Sequence, residues 1–229
     1  MRRRRSPRRC LVFVPAAVLA LGLAACSDDQ PEVESNTPRV EVDDDGERAD
    51  RLLTLDQVTT ALGDDRLEQA DFDDVPVFEN PDPRGPCGAE VPALEFGDDA
   101  VGRSFGTSDQ VVFEIISTES DALGTYLDAL IADQPDECPT YASRTNQGLM
   151  QTVSDVVLLD VAELGSRAVG WTSHIELQGQ DLYGGVVAFA LDGQVVFLQL
   201  QGIAPVDGDA LAALGAAAAA NLAAPVAGS

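Results

Sequence analysis

Lysine is absent from this chain of 229 residues, and histidine occurs once, at position 174. The cationic side chains are 14 arginines, against 39 acidic residues. Because so negative a chain repels nucleic acid and gains nothing from anionic lipid headgroups, we expect neither as an electrostatic partner. A single histidine also leaves too few ligands for a zinc site of the Cys/His type, and we expect no metal and no cofactor.

Motifs that carry catalysis are missing as well. The chain has no Gly-x-Ser-x-Gly elbow, and Gly184 and Gly185 lie inside a strand pattern with no lysine nearby, unlike a phosphate-binding loop. His174 could act as a base, but strand alternation places it on the face opposite to Trp171, where a structural histidine is the usual finding. We therefore expect that the protein is not an enzyme, and hydrolysis through His174 stays as a third hypothesis.

The N-terminus has the pattern of an export signal. Six arginines precede an apolar run over residues 11–25, which is short for a bilayer span and contains Pro15 and Gly22. The run ends in Leu-Ala-Ala-Cys26, which resembles the lipobox of bacterial lipoproteins, whose cysteine thiol receives a diacylglyceryl group. We predict that residues 1–25 are a cleaved signal peptide and that Cys26 becomes a lipidated N-terminus. Export by the general secretory or the twin-arginine route stays open.

A polar, acidic segment follows Cys26. Residues 26–50 contain few apolar side chains, and we predict that they form a lipidated, disordered tether to a single domain over residues 51–229. The chain after the signal carries eight arginines against 39 acidic residues, a formal charge of −31. Membrane attachment must therefore come from the acyl chains, each buried CH₂ contributing about 0.8 kcal/mol. The predicted location is the extracytoplasmic face of the cell membrane.

Two further cysteines, Cys87 and Cys138, lie in the predicted domain. An even pair outside the cytoplasm indicates a disulfide, with free thiols as the alternative. Closure of the intervening loop would stabilise the domain by roughly 4 kcal/mol in the chain-entropy model.

Helices and strands are indicated by capping and periodicity. Thr54 and Gln57 form a capping-box pattern for a helix that Gly63 ends, and Thr118 or Ser120 begins a second helix that stops before Pro135. An alanine-rich helix, capped by an aspartate, covers residues 207–223, and Asp192-Gly193 between two apolar runs predicts a hairpin turn. Strands are predicted at 110–117, 151–160, 169–177, 184–190 and 194–202, with one or two more short strands among loops at 64–105. The pattern predicts an α+β fold, a single antiparallel sheet of about five strands with helices packed on one face.

This layout resembles the PknH-like extracellular sensor domain of actinobacterial envelopes. The resemblance depends on the segments 52–58 and 61–63, on Cys87 in a Pro/Gly loop and on the strand at 110–117. It continues with the helix at 121–133 that leads to Cys138, and with the closing hairpin and alanine-rich helix. It implies an antiparallel sheet flanked by helices, and a cleft that holds an unidentified small ligand. Cys87 and Cys138 match the first of the family's two disulfides, while the second has no counterpart here.

We therefore expect a membrane-tethered sensor-like domain that binds an unidentified ligand in the cell envelope. The alternative is a structural or interaction lipoprotein that binds another envelope protein. Trp171 and Tyr183 could line a cleft, although Trp171 is in phase with core residues and core packing is the more common role. Arg144, like Arg103 and Arg167, is a scarce positive charge that could hold an anionic ligand or form a local ion pair.

Overall fold

A computed structural model describes residues 48–70, 82–145 and 147–224. The predicted signal peptide, the lipidation site Cys26 and the tether up to residue 47 lie outside the described residues. The described fold opens with a 3₁₀ turn, Ala49–Arg51, and the Arg48 guanidinium donates to the Asp99 carboxylate at 2.7 Å. Arg48, three residues before the predicted domain boundary at residue 51, therefore already contacts the domain.

The described residues form eight strands and three α-helices. The helices are α1 (Leu55–Leu62), α2 (Asp121–Ala132) and α3 (Gly208–Ala223). The strands are β1 (Glu68–Ala70), β2 (Val101–Gly106), β3 (Gln110–Thr118), β4 (Tyr141–Arg144), β5 (Met150–Leu158), β6 (Arg167–Leu177), β7 (Gln180–Leu191) and β8 (Gln194–Gly202). All pairs are antiparallel, in the order β1-β2-β3-β8-β7-β6-β5-β4. None of these helices is long and apolar enough to cross a membrane.

The predicted α+β class and single antiparallel sheet are confirmed, but the predicted number of about five strands is wrong. Beyond the five strands predicted with ranges, the sheet contains β1 and β2, of three and six residues, in the region where one or two short strands were predicted, and β4, of four residues, which was not predicted. They lie toward the two ends of the sheet, where β1 and β4 are the edge strands. Short strands carry too few residues for an alternating pattern to stand out, which is why the sequence did not reveal all of them.

The prediction that the helices pack on one face is also wrong. In β7, Val187 and Phe189 belong to a core with α1 and α3, whereas Ala188 and Ala190 belong to a second core with α2. We call these two sides of the sheet the α3 face and the α2 face. Strands β7 and β8 are apolar at consecutive positions, so both of their faces need cover, as in sheets with helices on two sides.

Helix ends follow the predicted chemistry. The Thr54 hydroxyl accepts from the Gln57 backbone N–H while the Gln57 side chain accepts from the Thr54 N–H, and Gly63 ends α1 at φ +64°. Of the two predicted caps for α2, Ser120 is the one used, since its hydroxyl accepts from Leu123 N–H. Asp207 caps α3.

Two tight turns set the register of the central strands. Asp192 and Gly193 form the predicted hairpin turn between β7 and β8, with φ values of 50° and 74°. A second turn of the same shape, at Gln178 and Gly179 with φ values of 53° and 76°, joins β6 to β7. Strand β7 consequently begins at residue 180 rather than at the predicted residue 184, and this places four more residues opposite β6.

Candidate functional site

The three residues predicted as ligand-binding do not share a site. Trp171 lies on the α2 face and packs, half-buried, against the core beneath α2. His174, three residues along β6 from Trp171, lies on the opposite, α3 face, and Tyr183 lies on that face too because it pairs with His174. Arg144 is exposed at the end of the edge strand β4, three strands from β7, and at about 4.8 Å per strand this is roughly 14 Å.

Tyr183 instead belongs to a polar group centred on His174. Ser154 and Asp155 come from β5, His174 from β6, and Asp181 and Tyr183 from β7. The Ser154 hydroxyl lies 3.2 Å from His174 Nδ1, and the Asp181 carboxylate lies 2.8 Å from His174 Nε2. The Tyr183 ring lies 5.1 Å from the imidazole, centre to centre, with the planes inclined by 33°. We call these five residues the His174 cluster.

A β-bulge brings Asp155 into the cluster. Ser154 pairs with His174 and Val157 with Thr172, so two residues of β5 face one residue of β6. Asp155 takes φ +51°, a left-handed conformation that Asp tolerates better than most side chains. Its carboxylate approaches His174 Nδ1 at 3.8 Å and the Ser154 hydroxyl at 3.5 Å. Without the bulge, alternation would direct residue 155 to the other face of the sheet.

The two carboxylates approach opposite nitrogens of one imidazole. Asp181 can only accept at Nε2, so in the neutral ring the proton is on Nε2 and Nδ1 accepts from the Ser154 hydroxyl. Asp155 and Asp181 thus cannot share one cation with His174. The described residues contain no group of three or more ligands suited to a metal ion.

The cluster lies just beyond the N-terminal end of α3. Gly185 lies two residues along β7 from Tyr183, on the same face of the sheet, and it closely approaches the start of α3. A Cβ added there would lie 2.6 Å from Leu211 Cδ2 and 3.0 Å from Val206 Cγ1. Beyond that contact the sheet face opens. The His174 side chain is 24% exposed, Asp181 69% and Asp155 83%. The cluster is therefore accessible to a ligand while its imidazole is held by neighbours on both sides.

Arg167, a further scarce cation, lies between two shallow depressions of about 510 and 420 Å³ beside α2. Its guanidinium pairs with Glu119 and, at 3.1 Å, with Asp128. It also donates to the Gly124 carbonyl at 3.4 Å. Because two carboxylates already bind this guanidinium, the depressions offer little attraction to an anion.

Arg103 and Glu114 are cross-strand neighbours, and both hydrogen-bond to the backbone of Leu53 near the start of the domain. Arg103 donates to the Leu53 carbonyl at 2.9 Å, and the Leu53 N–H donates to the Glu114 carboxyl at 2.6 Å. Glu114 is fully buried, and its other oxygen, Oε1, has no hydrogen-bond partner within the described ranges. Burial raises the pKa of this carboxyl to about 8, against the opposing effects of the Leu53 N–H and Arg103.

The predicted disulfide between Cys87 and Cys138 is confirmed, with a Cα–Cα distance of 4.7 Å. It joins the loop before β2 to the segment after α2. The Asp133 carboxylate reinforces this junction by accepting from the backbone N–H groups of Cys87 and Ala89 at 2.8 and 3.2 Å. The bond lies on the α2 side of the molecule and its role here is structural.

Sequence reasoning missed Ser154, Asp155 and Asp181 as partners of His174. No local signal links them, because their proximity depends on strand register, on the bulge and on the unpredicted turn at Gln178. Glu114 did have a signal, since it alternates with Val112 and Ile116 on one face of an apolar strand.

Comparison of the chain with protein-family models, with curated proteins and with solved structures returns no match.

Proposed function

We propose that this protein is a lipoprotein of the cell envelope whose domain binds a small ligand at the His174 cluster, in the manner of the sensor domains that it resembles. The proposed anchor is Cys26, and support for it comes from the arginine-rich start, the apolar run and the lipobox-like Leu-Ala-Ala-Cys. The predicted ligand residue Tyr183 is retained in this proposal, whereas Trp171 and Arg144 are not.

The observation that carries the binding proposal is the convergence of polar groups on an open part of the sheet. Binding sites combine an apolar or aromatic surface with a few oriented polar groups. Tyr183 supplies the aromatic surface, and His174 is oriented by bonds to both of its ring nitrogens. Such a fixed arrangement reduces the entropy that would be lost on binding.

Thermal unfolding of the detergent-extracted full chain, in the presence of fractionated envelope extract, tests the proposal. We expect one fraction to raise the melting temperature, because a ligand at 100 times its Kd stabilises by about 2.7 kcal/mol. The double variant His174→Asn, Tyr183→Ala should lose this shift. Trp171→Phe, on the opposite face, is the matched control and should keep it.

The proposal fails if no fraction raises the melting temperature of the unaltered chain. It fails equally if the shift persists in the double variant, since the ligand would then bind elsewhere.

A second candidate function is contact with another envelope protein. Met150 and Val157, on the strand that carries Ser154, are large apolar side chains exposed on the α3 face. They lie roughly 20 Å apart along β5, so they would be two separate apolar contacts within a larger interface and not a single patch. Crosslinking in intact cells separates the two functions. A stoichiometric protein adduct that Met150→Ser and Val157→Ser abolish, with no small ligand found, would favour this candidate.

A further inference from the structure

The His174 cluster contains a serine, a histidine and a carboxylate in one hydrogen-bonded series. Ser154 Oγ lies 3.2 Å from one imidazole nitrogen, and Asp181 Oδ1 lies 2.8 Å from the other. We propose that Ser154 is a nucleophile that accepts acyl groups from carboxylic esters, with His174 as its general base. This goes beyond ligand binding and revises the expectation that the protein has no chemistry of its own.

The positions of the protons on His174 and Ser154 assign a role to each side chain. Asp181 holds the neutral imidazole proton on Nε2, which leaves the Nδ1 lone pair directed at the Ser154 hydroxyl. Serine hydrolases likewise place a carboxylate on one ring nitrogen and the serine on the other, although there the serine lies at Nε2 and the carboxylate at Nδ1, the reverse of the arrangement here. Here Asp181 acts as a positioning residue, because it reaches the reacting atoms only through His174.

Asp155 completes the arrangement on the side of the nucleophile. When His174 takes the serine proton it becomes an imidazolium with N–H groups on both sides. Asp155, at 3.8 Å from Nδ1, and Asp181, at 2.8 Å from Nε2, then each face a positive ring. The bulge, with Asp155 at φ +51°, is what supplies this second carboxylate. Bulges and left-handed non-glycine residues are enriched at functional sites.

The proposed step is acyl transfer. Ser154 Oγ forms a bond to the ester carbonyl carbon as its proton passes to His174 Nδ1. The bond from that carbon to the leaving oxygen then breaks, and the leaving oxygen takes the proton from Nδ1. The products are an acylated Ser154, the free alcohol and a neutral His174, so the step needs no further reactant.

The charge of the cluster selects the class of ester. Asp155 and Asp181 are both largely exposed beside the nucleophile, and an anionic substrate would approach two negative charges. We therefore expect neutral or cationic esters to react faster than anionic ones. Tyr183, next to the imidazole, offers an apolar surface for the acyl or alcohol group.

The sequence contains a matched control for this proposal. Ser108, like the half-buried Ser154, is followed by an aspartate, but it is exposed, and its hydroxyl donates to Asp109 at 2.8 Å. The one histidine of the chain hydrogen-bonds to Ser154 instead. Any reactivity that a neighbouring carboxylate alone can give should appear equally at both serines.

The test exposes the detergent-extracted full chain to an alkyl fluorophosphonate. In this probe Ser154 Oγ would bond to phosphorus, fluoride would leave, and the serine proton would pass through His174 to water. Mass spectrometry of the digest then measures the adduct at each serine against time. We expect labelling of Ser154, with Ser108 at background.

His174→Asn should lower the labelling rate of Ser154 about 100-fold, which is the low end for loss of a general base. Asp181→Asn should lower it less, about tenfold, because an exposed carboxylate is screened by water. His174→Gln is a second replacement should the Asn variant unfold. The melting temperature of each variant establishes that the sheet is intact.

Neutral 4-nitrophenyl acetate should acylate Ser154 several times faster than the anionic 4-nitrophenyl monoester of succinic acid. An unlabelled Ser154, or labelling of Ser154 and Ser108 at equal rates, would overturn the proposal. So would a labelling rate that His174→Asn and His174→Gln leave unchanged in folded protein. Ligand binding does not depend on this reactivity, so the thermal-shift result stands or fails separately.

Discussion

Replacement of Glu114 by glutamine should change how the stability of the domain depends on pH. The folded carboxyl has its pKa raised to about 8 by burial, against an ordinary value of 4.5. Between these values the unfolded chain has lost the proton while the folded chain keeps it. The contribution of Glu114 to stability is therefore complete below about pH 4.5, falls as pH rises, and is lost above pH 8.

The size of the effect follows from the pKa difference. One pH unit in this interval removes about 1.4 kcal/mol, and the whole interval removes at most about 5 kcal/mol. Glutamine is neutral throughout and its amide oxygen can still accept from the Leu53 N–H. The free energy of unfolding of the unaltered chain, minus that of Glu114→Gln, should thus fall by about 3.5 kcal/mol from pH 5 to pH 8.

Urea unfolding at several pH values measures this difference. Trp171 is the single tryptophan and packs against the core beneath α2, so its fluorescence reports loss of the fold. Glu163→Gln, at an exposed position, is the matched control, and its free energy of unfolding should change with pH in parallel with that of the unaltered chain. Parallel profiles for Glu114→Gln as well would refute the reasoning, because they would mean that Glu114 is not protonated in the folded state near pH 7.

Reduction of the disulfide, or Cys87→Ser with Cys138→Ser, should cost roughly 2–4 kcal/mol in urea unfolding. Faster proteolysis between residues 82 and 92 would accompany it, and an unchanged midpoint would contradict the structural role of the bond. Gly185→Ala should destabilise by about 1–3 kcal/mol, because the new methyl group would lie 2.6 Å from Leu211. Gly106→Ala, where the nearest atom is 3.5 Å away, is its control, and equal losses would contradict the close approach of α3. Asp155→Val should cost about 1–2 kcal/mol more than Asp155→Gly, since valine resists a positive φ. Thermal unfolding compares the two, and equal stability would show that the bulge can relax.

Local structure could be predicted wherever one residue type has one dominant physical role. The Thr54 capping box, the Asp192-Gly193 turn and the Asp207 cap all formed at their predicted positions. The same reasoning placed His174 and Trp171 on opposite faces of β6, because alternation within a strand needs no knowledge of its neighbours.

Sheet size and helix placement could not be predicted in the same way. The short strands β1 and β2 were predicted only as one or two strands without positions, and β4 was not predicted, because so few residues give no clear alternation and each strand forms through pairing with its neighbour. The consecutive apolar positions of β7 indicate burial on both faces, but they do not say which helix covers which face.

The site was the least predictable part. Ser154 lies 20 residues before His174 and Asp181 lies seven residues after it, and each contacts His174 from a neighbouring strand. Asp181 faces His174 only because the Gln178-Gly179 turn starts β7 early, and a turn one residue longer would change the pairing. Chemistry that depends on register appears only once the register is known.

We propose that a lipid anchor at Cys26 holds this domain outside the cytoplasm, where disulfides such as Cys87–Cys138 persist. The intact mass of the chain, extracted from membranes of an expressing bacterium, tests this claim most directly. We expect a protein that lacks residues 1–25 and carries a diacylglyceryl group on Cys26, and we expect that Cys26→Ala fails to acquire the lipid. A mature chain with an unmodified Cys26, or a chain that keeps residues 1–25, would contradict it.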